Sequence, residues 1–162
     1  MPVPSDDMLE SDRSRYVVSL MAKKVMYPLE PCIEFHRKDK VDTFYFDLMT
    51  YDATYLHAVA FSCQAFFNRA SPRQTAELTR RSVIHHSAAL KQLRERLSNQ
   101  EEQIKYSDST VLVILSLARH AHLTGDFDTA KQHMEGLRRI VDFRGGLGAL
   151  EYNSKLTMEI LK

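Results

Sequence analysis

Apolar side chains return every three or four residues along most of this chain, the period of helices that bury one face. From Met8 to about Met26 the stripe is Leu9, Tyr16, Val17, Leu20 and Met21, with Arg13, Arg15, Lys23 and Lys24 largely off it. Tyr27-Pro28-Leu29-Glu30-Pro31 ends that helix, because residues before proline are pushed out of the helical region. Cys32 to Thr50 carries no clear period. Val41, Phe44 and Phe46 fit a short extended piece in mostly irregular chain. Asp52 then caps a helix to about Arg69, with Tyr55, Leu56, Val59, Ala60, Cys63, Phe66 and Phe67 on its inner face.

The next helix has a sharp start signal. Ser71 is the cap, Pro72 the first helical residue with no amide to waste, and Gln74 the reciprocal partner of a capping box. It runs to about Ser98, with Val83, Leu90, Leu93 and Leu97 facing in and Arg80, Lys91, Arg94, Glu95 and Arg96 on the wet side. After a polar connector, Ser107 or Asp108 caps a helix through about Leu123. Its run Val111 to Leu117 is apolar nearly all round, as expected of a central helix with neighbours on several sides.

The densest punctuation follows. Gly125 accepts the left-handed conformation that closes a helix, and Asp126 caps the next. The inner face of that helix reads Phe127, Ala130, Met134, Leu137 and Val141, with Ile140 beside them. Arg138, Arg139 and Arg144 lie towards its C-terminal end, where cations complement the macrodipole. Gly145-Gly146 stops it, a turn spans Leu147 to Leu150, and a last helix covers about Ser154 to Leu161. The pattern predicts an all-α fold of five or six helices packed as antiparallel helical hairpins. It forms one domain over residues 8–162, after a loose lead-in at 1–7.

Composition narrows the function classes. A chain of 162 residues can bury a real core. Lys and Arg total 22 against 21 Asp and Glu, so no general attraction to nucleic acid or membrane follows. No stretch reaches the ~18–20 apolar residues of a membrane span, and Met1–Glu10 lacks the apolar segment of a signal peptide. Cys32 and Cys63 are too widely spaced for a short metal motif and read as buried thiols in a reducing compartment.

Candidate chemistry is thin. His120 and His122 project about 200° apart on a helix, and His85 and His86 about 100° apart, so neither pair chelates one ion. His122 and His133 lie where a helical hairpin brings them near each other, yet no thiolate or carboxylate completes a zinc set. Gly145-Gly146-Leu147-Gly148 follows a helix, whereas a dinucleotide loop follows a strand. Val83, Leu90, Leu97 and Ile104 are seven apart, but His86 and Gln100 spoil the alternate coiled-coil positions. The arginines at 80, 81, 94, 96, 138, 139 and 144 are interrupted by glutamates and read as a solvated surface, not a phosphate-binding one. Ser62-Cys63 beside His57 lacks the orienting group of nucleophilic catalysis. No catalytic, metal-ligating or cofactor-binding residue is assigned.

The segment from Ala121 onward carries a specific resemblance. Ala121-His122-Leu123-Thr124-Gly125-Asp126, then His133-Met134 with Gly136-Leu137, then Arg144-Gly145-Gly146-Leu147 resembles the helical regulatory domain of fungal-specific transcription factors. The similarity is strongest over 107–161 and weaker over 71–97. It implies a nuclear, transcription-linked regulatory domain that contacts protein partners. These partners are transcription machinery or a further region of the same factor. The six cysteines that hold two zinc ions in that family do not occur in these residues, so direct DNA contact by this chain is not expected. The family's domain usually runs further, so the chain is expected to be a short relative or a piece of a longer factor. Two other readings compete: a helical-repeat adaptor outside transcription, although no 34-residue repeat is present, and a helical small-molecule sensor.

Overall fold

The computed structural model describes residues 44–70, 76–150 and 154–161, and every regular element within them is helical. In chain order these are α1 (Phe44–Tyr51), α2 (Ala53–Ala70), α3 (Ala76–Ser98), the single turn α4 (Glu102–Lys105), α5 (Asp108–Thr124) and α6 (Phe127–Phe143). A 3-10 turn (Leu147–Leu150) leads to α7 (Ser154–Leu161). The lead-in at 1–7, the helix at 8–26, Cys32, Val41 and the capping box of Ser71, Pro72 and Gln74 lie outside the described residues.

The first difference from the sequence reading is α1. Phe44 and Phe46 alternate like a strand, yet they belong to a helix. The amide of Asp52 donates to the Leu48 carbonyl at 2.8 Å, and the amide of Leu56 to the Asp52 carbonyl at 2.9 Å, so α1 runs almost unbroken into α2. Met49 joins the core beside Tyr55 and Leu56. Packing of that face, not the two-residue alternation, decides the conformation.

Helix α5 is central. Ser109 to Leu115, Leu117, Ala118 and Ala121 are buried, and α2, α3, α6 and α7 all pack on it. Helix α2 is enclosed as well, between α3 and α5. Its buried residues Thr54, Tyr55, Leu56, Ala58, Ala60 and Phe61 therefore fall nearly all the way round it. Each fully buried Leu or Phe contributes roughly 1.5–3 kcal/mol. Phe61, fully buried and absent from the predicted stripe, is among the largest of these side chains.

Helices α2 and α3 meet in reversed order: Asp52 with Arg96, Thr54 with Gln92, and His57 with His85. The same reversal relates α5 and α6, since Asp108 at the start of one meets Arg144 just past the end of the other at 2.7 Å.

Candidate functional site

Two glycine stops frame α6. Gly125 sits at φ +85°, with its own amide bonded to the His122 carbonyl and the next amide, of Asp126, bonded to the Ala121 carbonyl at 2.9 Å. Gly145 and Gly146, at φ +99° and +85°, repeat the pattern with Asp142 and Val141. These paired bonds satisfy carbonyls that a helix end otherwise leaves open. Ser107 and Asp126 accept from the amides of Thr110 and Thr129 and so cap the starts of α5 and α6. Between the stops, Ala130, Leu137, Ile140 and Val141 are buried.

Phe127 and Met134 are not on that inner face. They are 63% and 42% exposed, which corrects their placement from sequence. The buried side of α6 is centred on Leu137, about 60–80° round the helix from these two residues at 100° per residue. Phe127 packs its ring edge-on against His122 at 5.3 Å, outside the core. Val83, at 59%, is likewise exposed despite its place in a predicted stripe, and Leu123 near the end of α5 is exposed at 50%.

The arginines divide differently from the sequence expectation. Arg96, expected on the wet side, has only 14% of its side chain exposed. It donates to Asp52 at 2.8 Å, to Thr54 at 2.8 Å, and to Ser109 and Thr110 on α5. Burial pulls the Asp52 carboxyl upward, but donors from Arg96, Ser109 and the Tyr55 amide outweigh it and hold the group below its ordinary value. Arg144 lies at the C-terminal end of α6, as expected, and also pairs with Asp108, where Tyr106 stacks on Phe143 at 4.3 Å. Arg119 clamps α7 through the carboxylate and carbonyl of Glu159, at 2.7 and 2.9 Å. Three arginines are thus committed to ties between helices, those of Arg96 and Arg144 largely buried.

Histidines gather where α2, α3, α5 and α6 converge, a cluster no local spacing announces. His57 and His85 bring their Nδ1 atoms to 2.8 Å. His86 and His120 face each other at 5.0 Å, and each stands edge-on to Phe61, at 5.0 and 5.1 Å. Burial holds His57, His86, His120 and His133 below the usual histidine range, reinforced by neighbouring histidines at His57, His120 and His133. His133 feels the charge of His86, which lowers its pKa, and that of Asp126, which raises it. Among the described residues, no group of three or more His, Cys, Asp or Glu is placed to hold a metal ion. Cys63 is mostly buried, and burial pushes its thiol up to about 11.

The surface left over is apolar in places: Leu123, Phe127 and Met134 around the α5–α6 turn, and Phe143 and Leu147 at the other end of α6. No helix among the described residues is long and apolar enough to cross a membrane.

The family model for the fungal specific transcription factor domain matches residues 24–160. The chain belongs to that family. Searches of curated proteins and of solved structures gave no match. The match extends well upstream of the segment whose residues carry the resemblance by eye, and it takes in all of α1 to α6. Membership assigns a transcription-regulatory role, and the all-helical architecture accords with the family's fold.

Proposed function

We propose that this chain is a non-catalytic regulatory domain of a fungal transcription factor, working in the nucleus through helix-mediated contacts with protein. The observation that carries the reading is the family match over residues 24–160. Its side-chain arrangement supports a packing role: charged side chains tie helices together. Asp52 and Arg96 join α2 and α3, Asp108 and Arg144 join α5 to the end of α6, and Arg119 and Glu159 join α5 and α7.

Protein, not DNA, is the partner of this chain on its own. Net charge is close to neutral, and Arg96 and Arg144 are consumed by interior carboxylates. Phosphate-directed binding needs exposed cations in number. Apolar side chains around the α5–α6 turn are a suitable contact surface, since aromatic and Met side chains are enriched at protein interfaces. The partner is a component of the transcription machinery or another region of the same factor. The test tethers the chain to an unrelated DNA-binding domain and reads a reporter. Activation or repression supports the reading, and an unchanged reporter with no recruited nuclear partner contradicts it.

A further inference from the structure

We propose that the histidine cluster between α2, α3, α5 and α6 is an acid-operated latch, closed when neutral and released by protonation so that α3 parts from α2 and α5. This goes beyond the regulatory reading and stands or falls separately from it.

The geometry does not accept a fully charged cluster. A neutral imidazole has one donor nitrogen and one acceptor, whereas the charged ring has two donors and no acceptor. The 2.8 Å contact between Nδ1 of His57 and Nδ1 of His85 needs one donor and one acceptor. Full protonation of both rings puts two N–H groups nose to nose and opens the contact. Nδ1 of His120 is buried without a hydrogen-bond partner. Charging that ring creates a buried donor with nothing to receive it. Phe61, at the centre and fully buried, presents ring atoms to His86 and His120 and offers no acceptor oxygen.

Among the described residues, the charges around His57, His86 and His120 do not offset this. The groups are His57 on α2, His85 and His86 on α3, His120 on α5, and His133 on α6. Mutual repulsion therefore grows with each proton. Asp126, in the α5–α6 turn, favours a charged His133 only, against burial and the charge of His86. No carboxylate makes an ion pair with His57, His86 or His120 among the described residues. Cys63 on α2 remains a neutral thiol, its pKa pushed up to about 11.

The sign follows from linkage. Four of these histidines are held below the ordinary value of 6.5 in the folded chain. The unfolded or opened chain therefore binds more protons, and stability falls as pH drops below 6.5. Each extra proton taken up on opening multiplies the opening constant about tenfold per pH unit. Release uncovers the sides of α2 and α3 that hold Phe61, Ala89 and Leu93, all buried in the closed form.

The test uses the full chain. Hydrogen exchange is followed at pH 7.5 and 5.5, corrected for intrinsic exchange, beside urea unfolding at both values. The latch predicts that α3 loses protection at pH 5.5 before α6 does, and that the unfolding constant rises tenfold or more. In His86→Phe/His120→Phe, which keeps rings but removes two titrating groups, that rise is expected to shrink by tenfold or more. Should the double variant fail to fold, wild-type imidazole NMR titrations decide: His57, His86 and His120 titrate below the ordinary value of 6.5. Uniform loss of protection, an unaltered pH response in a folded variant, or titration of these three at or above 6.5 each overturns the proposal.

Discussion

Arg96 on α3 and Asp52 at the α1–α2 junction stand 44 residues apart in sequence and meet at 2.8 Å, with 14% and 17% of their side chains exposed. Asp52 also accepts from the Tyr55 amide at 3.0 Å, capping α2, and from Ser109 on α5. One carboxylate therefore fixes where α2 starts and where α3 and α5 lie against it. Removing one partner of a buried pair leaves the other uncompensated, and Arg96→Ala is expected to lower stability by about 3 kcal/mol. Urea unfolding measures this, and a loss under ~0.5 kcal/mol, the range of ordinary surface substitutions, would place Arg96 back on the surface.

Acid should act on the same group. The folded Asp52 carboxyl is held below its ordinary value of 3.8, because the donors around it outweigh its burial. An acid with a depressed folded pKa adds stability that is complete above the ordinary value and disappears as pH falls through the folded one. Asp52→Asn should reduce the acid destabilisation that lies below pH 3.8, leaving the histidine-dependent part above it. Melting temperatures measured from strongly acidic to neutral pH separate the two regions.

Glycines at 125 and 136 make opposite predictions. Gly125 has open space where a Cβ would stand but φ +85°, so Gly125→Ala is expected to destabilise by about 1–2 kcal/mol through backbone strain alone. Gly136 lies inside α6 at ordinary φ with no atom within 4 Å of an added Cβ. Gly136→Ala should stabilise by about 0.5–1 kcal/mol. Equal effects from the two substitutions would contradict the described end of α5.

Position on α6 supplies a third contrast. Leu137 is 1% exposed and Phe127 63%. Leu137→Ala is expected to cost about 2–5 kcal/mol, the range for emptied core sites, while Phe127→Ser stays within ~0.5 kcal/mol. Chemical denaturation of both variants checks the register of α6. If Phe127→Ser proved the more damaging, the helix would be rotated from its described position.

The ends of α5 and α6 were readable in the sequence because their signals are local: Ser107, Gly125, Asp126, Gly145 and Gly146 act through bonds spanning three to five residues. The run at 111–117, apolar but for Ser116, likewise announced a central helix. Local spacing does not report how much of a helix is covered. Helix α6 packs on α5 along a narrow side, so Phe127 and Met134 fall outside it. Helix α2 is covered from two sides, so Phe61 is buried beyond any one stripe. Arg96 reads as solvated in sequence because its partners come from α2 and α5, and no pattern within α3 names them. The histidine cluster is hidden for the same reason, with members drawn from four helices. The strand-like alternation of Phe44 and Phe46 misleads because two positions are too few to outweigh continuity into α2.

A tethered reporter comparing the native chain with Leu137→Asp tests the regulatory role most directly. Placing a charge at a fully buried site unfolds the helical array, so circular dichroism should show lost helicity beside the functional readout. A regulatory role carried by this fold predicts that the native chain changes reporter output and the unfolded variant does not. Identical output from both, with the native chain confirmed as folded and both present at equal levels, would contradict it.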